Sequence, residues 1–412
     1  MDGIQESVNS SAGAYAPLRF NRMEFAGSFG DLGTILPLAI GMILINGLNP
    51  LGVFMAVGLY YIFSGLYFRV TSPVEPIKVI AAYAIATGIT TSQIQASSLW
   101  LFLFLLVIGG TGLITLIGRY IPTPVVRGVQ LSTGVLLVSQ GVQLILGTSR
   151  FQALRDAAEP YLSIQSLGPV PIGWLIGTIL GVFTLFLLEN RRLPAAIVVV
   201  GVGILAGIFI GTREGLQQIN LGFYLPAWLP YGLPSIGDFT FALLVLALPQ
   251  VPMTIGNAVM ANADLSIQYF PQAGRRVTYR ALCISMAMAN LLSFFLGGMP
   301  MCHGAGGLAS RYRFGARTGG SNLMIGAIFI FLGLLLGEHL MGVIYLVPMS
   351  ALGVLLIFAG AQLSLTLLDI DTRKEMFVPI LIVGITLAAN LAAGFLIGIA
   401  AAYALKSQKL HV

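Results

Sequence analysis

The sequence predicts an all-α integral membrane protein with 14 transmembrane segments, arranged as a 7+7 inverted repeat with half-helices at segments 3 and 10. Three observations predict it. Hydrophobic residues make up 57% of the 412 residues and charged residues only 9%, against about 25% charged in soluble domains. Apolar runs long enough to cross a bilayer recur from end to end. Two of these runs, SPVEPIKVIAA and GGMPMCHGAGG, are short and broken by proline and glycine, and they lie about 227 residues apart.

Taken in order, the apolar runs fall at about 24–46, 52–70, 73–89, 96–118, 122–147, 171–189 and 194–211, then at about 236–261, 278–297, 300–314, 319–338, 341–365, 377–391 and 393–406. Basic residues test this order, because short cytoplasmic loops are enriched in Lys and Arg. Alternating from a cytoplasmic N-terminus sorts nearly all of them to one side. Arg19, Arg22, Arg69, Arg119, Arg127, Arg191, Arg192, Arg275, Arg276, Arg280, Arg311, Arg313, Arg317, Arg373, Lys374, Lys406 and Lys409 face the cytoplasm. Arg150, Arg155 and Arg213 face outward, and Lys78 lies within a span. Both termini are therefore expected in the cytoplasm, and the arginines after GGMPMCHGAGG read first as a topology signal. Glu24 is expected at the interface, without a special role.

Aligning Pro73 with Pro300 also places the start of segment 1 on PQVPMTIGNAVMANA. A nearly equal shift places IPTPVVRGVQLSTGVLL on LVPMSALGVLLIFAGA. Seven is odd, so the second half enters the membrane from the opposite side. The expected organisation is an N-terminal tail (1–23), a first repeat (24–211), an extracytoplasmic connector (212–235), a second repeat (236–406) and a C-terminal tail (407–412).

Proline lacks an N–H and holds its predecessor extended. Segments 3 and 10 are thus expected to start extended, to about Pro76 and Met301, and to turn helical near the midplane. Extended chain at that depth must be buried or line a cavity. Two inverted half-helices aim their N-termini at one site, and each N-terminus offers about half a positive charge with unpaired N–H donors. That is an anion cradle.

The net charge of +6 belongs to loops and suggests no nucleic-acid partner. There is no GxxxxGK[ST], HExxH or GxSxG motif, so neither ATP-driven pumping nor an enzyme is expected. No cofactor or metal centre is called for. Cys283 and Cys302 lie in apolar segments and suggest no disulfide. No cleavable signal peptide is expected.

PMCHGAGGLASRYRFGARTGG, GSFGDLGTILPL, PVEPIKVIAA and LPQVPMTIGNAV together resemble the molybdate transporter family, a branch of the SulP-type sulfate permease superfamily. The resemblance implies a fold shared with uracil permeases, and a tetrahedral oxyanion as substrate: molybdate, with tungstate or sulfate as the alternatives. It implies uptake across the plasma membrane by alternating access, and proton coupling is expected. The STAS domain of larger SulP proteins is not expected, because the chain stops soon after the last span. Glu75 stands where the family often carries glutamine. The lipid bilayer is the other expected partner, and a homodimer is left open. A passive anion channel and a nucleobase permease are the competing readings.

The site is expected where segments 1, 3, 8 and 10 meet. Segment 10 brings Cys302, His303, Gly304 and Ala305 to a helix start, and His303 can donate from its ring. Segment 3 brings Glu75 and Pro76, with Lys78 close enough to pair with Glu75. Gln250 and Thr254, one turn apart, and Asn257 supply uncharged donors from segment 8; carboxylates there would suit a nucleobase instead. Segment 1 brings Thr34 and Asp31. A lone buried carboxylate must be protonated or paired. Asp31 is therefore the expected proton-coupling group, or else a structural partner of a cation such as Lys78 or Arg127.

Overall fold

A computed structural model describes residues 17–114, 120–188, 190, 194–212, 217 and 219–406. Most of both expected tails, and Arg119, Arg191, Arg192, Arg213 and Lys409, lie outside the described residues. Among the described residues, eight helices are long and apolar enough to cross a membrane, and four shorter apolar helices accompany them. The chain is a multi-pass integral membrane protein, and aliphatic and aromatic side chains cover much of its outside, Phe183, Phe186 and Phe209 among them.

The first half runs α1 (Arg22–Ser28), α2 (Leu32–Asn46), α3 (Pro50–Phe68), β1 (Glu75–Pro76), α4 (Lys78–Thr87), α5 (Thr91–Thr111), α6 (Thr123–Leu146) and α7 (Arg150–Leu154). A small hairpin, β2 (Ser166–Leu167) with β3 (Val170–Pro171), leads into α8 (Ile172–Leu187) and α9 (Ala195–Ile210). The second half runs α10 (Ile236–Tyr269), α11 (Tyr279–Leu296), β4 (Met301–Cys302), α12 (Ala305–Arg313), α13 (Gly319–Leu336), α14 (Leu340–Ile344), α15 (Met349–Ser364), α16 (Arg373–Ala388) and α17 (Leu391–Ala404).

Three expected runs differ in detail. The first breaks at residues 29–31 between α1 and α2, where Gly30 packs on α12 so closely that a Cβ would lie 2.7 Å from the Arg311 backbone. The run at about 341–365 splits into α14 and α15, because Pro348 starts a new helix. The run at about 236–261 extends to Tyr269 and contains two π-helical stretches, Ala242–Ala247 and Thr254–Ala261, flanking Pro249 and Pro252. Proline removes the i→i−4 bond, and the wider i→i+5 pattern absorbs the loss.

The helices pack in matched pairs. α6 lies antiparallel against α15, with Gly134 on Gly360 and Gly141 on Gly353. α3 lies antiparallel against α13, with Gly58 on Gly326 and Gly65 on Gly319, and α5 pairs with α11. Glycine at the crossings lets backbones meet where lipid gives no hydrophobic drive.

At the centre is a two-residue antiparallel ribbon. Glu75 faces Cys302, Pro76 faces Met301, and Ile77 N donates to Pro300 O at 2.9 Å. Because the strands run oppositely, α4 and α12 leave the ribbon in opposite directions. Neither N-cap, Ile77 nor Gly304, supplies a side-chain hydrogen bond. The start of α12 therefore keeps the unpaired N–H groups that make a terminus attractive to anions, while at α4 a side chain from another helix takes one of them.

Candidate anion site

Beside the ribbon lies a cavity of about 440 Å³. One wall comes from Asp31 and Thr34 at the head of α2, Glu75 and Lys78 at the start of α4, Met253 and Asn257 in α10, and Gly306, Gly307, Ser310 and Arg313 in α12. The facing wall comes from Gln130 in α6, Thr184 in α8, Ala196 in α9 and Gln362 in α15. A neighbouring cavity of about 420 Å³ shares Gln130, Met253, Asn257 and Thr366 with it. Arg127 lines this second cavity, and its Nε donates to both Asp369 oxygens at 2.9 and 3.0 Å.

Of the residues singled out in the sequence, Asp31, Thr34, Glu75, Lys78 and Asn257 meet on the main cavity. Lys78 Nζ lies 3.0 Å from Glu75 Oε2. The Lys78 side chain keeps 21% exposure while Glu75 has 1%, so the ammonium is the more open partner.

Gln250 and Thr254 are buried one layer behind. Gln250 Oε1 accepts from Val79 N at 3.2 Å, and Gln250 Nε2 donates to Thr254 Oγ1 at 2.8 Å. Gln250 thus fixes the first turn of α4. Asn257 sits in the π-helical stretch and is half-buried on the cavity, off the Gln250–Thr254 line. Three residues span less of a turn in i→i+5 geometry than in an α-helix.

Pro76, Cys302, His303, Gly304 and Ala305 are not among the described residues lining the cavity. Pro76 and Cys302 belong to the ribbon. His303 is fully buried with its ring turned away from the cavity. Its Nδ1 donates to Pro73 O at 2.7 Å, since a carbonyl only accepts, and Nε2 faces the Tyr60 hydroxyl at 2.7 Å and Ser285 Oγ at 3.0 Å. Gly304 is the N-cap of α12 and Ala305 its first residue. The cavity meets that helix one step later, at Gly306 and Gly307.

Two readings from sequence need correction. Arg311 is no loop residue: it is fully buried and forms an ion pair with Asp31 at 3.0 Å. Asp31 therefore pairs with Arg311, not with Lys78 or Arg127. All five guanidinium protons are engaged, with Thr71 Oγ1, Ser28 O, Asp31 Oδ1, Ser321 Oγ and Asn322 Oδ1 at 2.8–3.1 Å. Asp31 Oδ2 accepts from Val74 N at 3.1 Å. The pair thereby ties the α1–α2 turn, the lead into β1, α12 and α13 together.

Glu24, expected to have no special role, has a structural one. It is 2% exposed and accepts from Arg317 N and Thr318 N at 3.0 Å, anchoring the entry to α13. The sequence also gave no sign of Gln130, Ser310 or Gln362 as cavity residues. Gln130 and Gln362 are amides within mostly apolar runs, and that is the signal available for them; Ser310, beside Arg311, offers none.

A membrane bundle whose central cavity is bounded by the starts of two interrupted helices has the architecture of a transporter. This chain belongs to the molybdate transporter family: the family model for the molybdate transporter of the MFS superfamily matches residues 23–137 and 242–363. It is 30% identical to molybdate transporter 2 of Arabidopsis thaliana, over 94% of this chain and 88% of that protein. It is 31% identical to molybdate transporter 1 of Chlamydomonas reinhardtii, over 91% of this chain and 90% of that one. Its fold is similar to that of the murine anion transporter Slc26a9 in the inward-facing state, with a TM-score of 0.65 at 16% identity, over 95% of this chain and 69% of that chain.

Proposed function

We propose that this protein is a proton-coupled secondary transporter that imports molybdate across the plasma membrane by alternating access. One observation carries the reading. The starts of α4 and α12, neither capped by its own N-cap side chain, and the Lys78 ammonium converge on one cavity. N–H donors and half-charges suit an oxyanion with few full positive charges, and they are little screened at low dielectric. Lys78, Asn257, Thr34 and the first turn of α12 are the proposed substrate contacts. Gln250, Thr254, Cys302 and His303 are proposed to hold the helix starts in place.

The 14-segment 7+7 inverted repeat, with both termini cytoplasmic, belongs to the same proposal. Packing supports it. The repeat turns α3 into α11 and α13 into α5, and the pair α3–α13 has its counterpart in α11–α5. The pairs α6–α15 and β1–β4 map onto themselves. The cavity has one wall from segments 1, 3, 8 and 10 and the other from segments 5, 6, 7 and 12. Such a seam lets a transport unit of segments 1–4 and 8–11 move against the remainder.

The test is uptake into proteoliposomes of the purified chain. Labelled molybdate should accumulate when the lumen is alkaline, and tungstate should compete. Sulfate competing as well as tungstate would make the protein a general oxyanion carrier. Currents far above carrier turnover would make it a channel.

A further inference from the structure

We infer that Glu75 is the group that links anion and proton in this site: its carboxylate occupies the seat at the start of α12 that a substrate oxyanion takes, and it gives up that seat by accepting a proton. The inference rests on the oxyanion-transport reading above.

Glu75 is 1% exposed and lies on the cavity wall. Neither carboxylate oxygen accepts a well-aligned hydrogen bond from a described residue. The carboxylate instead presses on the first turn of α12. A Cβ on Gly304 would fall 1.8 Å from Oε2, and one on Gly307 would fall 2.6 Å from Oε1. A buried acid is thus lodged against the start of α12. Its one cation is Lys78, 3.0 Å from Oε2. Cys302 on β4, Asp31 at the head of α2 and Tyr61 on α3 also feel its charge. Of these Asp31 is the like charge, and Arg311 neutralises it.

A dianion cannot share this place with an ionised carboxylate, because like charges at such range strongly disfavour each other. Once protonated, Glu75 no longer repels the anion. Lys78 loses its internal counter-ion and faces the substrate instead. The proton comes from cavity water on the loading side, rests on a Glu75 oxygen while the anion is bound, and returns to water when the anion leaves. Anion and proton then strengthen each other's binding reciprocally.

Asp31 is less suited to this part. Each of its oxygens has a donor, from Arg311 and from Val74 N. Protonating it would leave Arg311 as an uncompensated charge in the interior. Glu75 pairs instead with Lys78, and both side chains reach the cavity, where an anion can replace the carboxylate as the ammonium's partner.

The test uses the full chain with molybdate as probe. In the wild type, the molybdate Kd should weaken with rising pH, by up to about tenfold per unit. About one proton should be taken up per anion bound in weak buffer. In Glu75→Gln, the Kd should lose its pH dependence and proton uptake should vanish. A proton gradient should no longer drive accumulation, while downhill flux continues. A Glu75→Gln protein that keeps the wild-type pH profile and accumulation overturns the inference. If that variant fails to fold, the wild type decides alone: molybdate binding without proton uptake overturns the inference and leaves the transport reading standing. Wild-type protein that binds neither molybdate nor any other tetrahedral oxyanion overturns both.

Discussion

Asp31 and Arg311, 280 residues apart in sequence, form a 3.0 Å ion pair with both side chains fully buried. The pair sits where the α1–α2 turn, the lead into β1 and α12 converge, and it holds the second helix start in register with the first. A buried pair adds little over a well-packed apolar pair, but breaking one costs about 3–5 kcal/mol because the partner is left charged and alone. Asp31→Asn and Arg311→Gln should each lower stability by about that much. The double variant should lose less than the sum. Arg311→Lys should fail as well, since a point charge cannot replace a five-donor fork. Thermal unfolding of the four variants in detergent checks this.

The first turn of α12 allows a contrast between neighbouring glycines. A Cβ on Gly304 would collide with Glu75 Oε2, whereas one on Gly306 would meet nothing within 4 Å. Gly304→Ala should cost about 1–3 kcal/mol in stability, through overpacking, and should disturb anion binding. Gly306→Ala should fold normally, and its small methyl group should weaken molybdate binding only slightly. Equal effects from the two would show that Glu75 does not sit where it is described.

Glu24 anchors the entry to α13 through the N–H groups of Arg317 and Thr318. Glu24→Ala orphans both and should lower stability by about 2–3 kcal/mol. Glu24→Gln, which keeps one acceptor, should lose about half of that. An exposed interfacial carboxylate would give no measurable change in the same melting experiment.

At the α6–α15 crossing, a Cβ on Gly141 would fall 2.5 Å from Gly353 O. Gly141→Leu should force the helices apart and cost about 1–3 kcal/mol. Gly384 on α16 has open space around its Cβ position. Gly384→Ala should therefore stabilise by up to about 1 kcal/mol, from helix propensity. Comparing the two melting temperatures separates packing glycines from incidental ones.

Much of this was legible in the sequence, and the limits are physical. Proline leaves an unambiguous local mark, so Pro73, Pro76 and Pro300 announced two extended-to-helical segments at matching places. The Glu75–Lys78 pair was legible because its members lie three residues apart in sequence. Arg311 was not, because it sits in the last turn of α12 beside Arg313, and charge sorting cannot tell a buried guanidinium from a loop one. Its partner lies 280 residues away, beyond any local pattern. His303 was read as facing the anion because it stands at the helix start. Its ring direction is set by Pro73, Tyr60 and Ser285, which spacing does not reveal. The π-helical stretches in α10 likewise shift the expected face for Asn257.

The account's central claim is that the anion is held between Lys78 and the first turn of α12. Anomalous scattering at the molybdenum edge, from crystals of the full chain grown with molybdate, locates the metal directly. The account predicts one peak in the main cavity, within contact of Lys78 Nζ and the Gly306–Gly307 turn, with the Glu75 carboxylate withdrawn from Gly304. A peak in the neighbouring cavity beside Arg127, with the Glu75–Lys78 pair still intact, would contradict it.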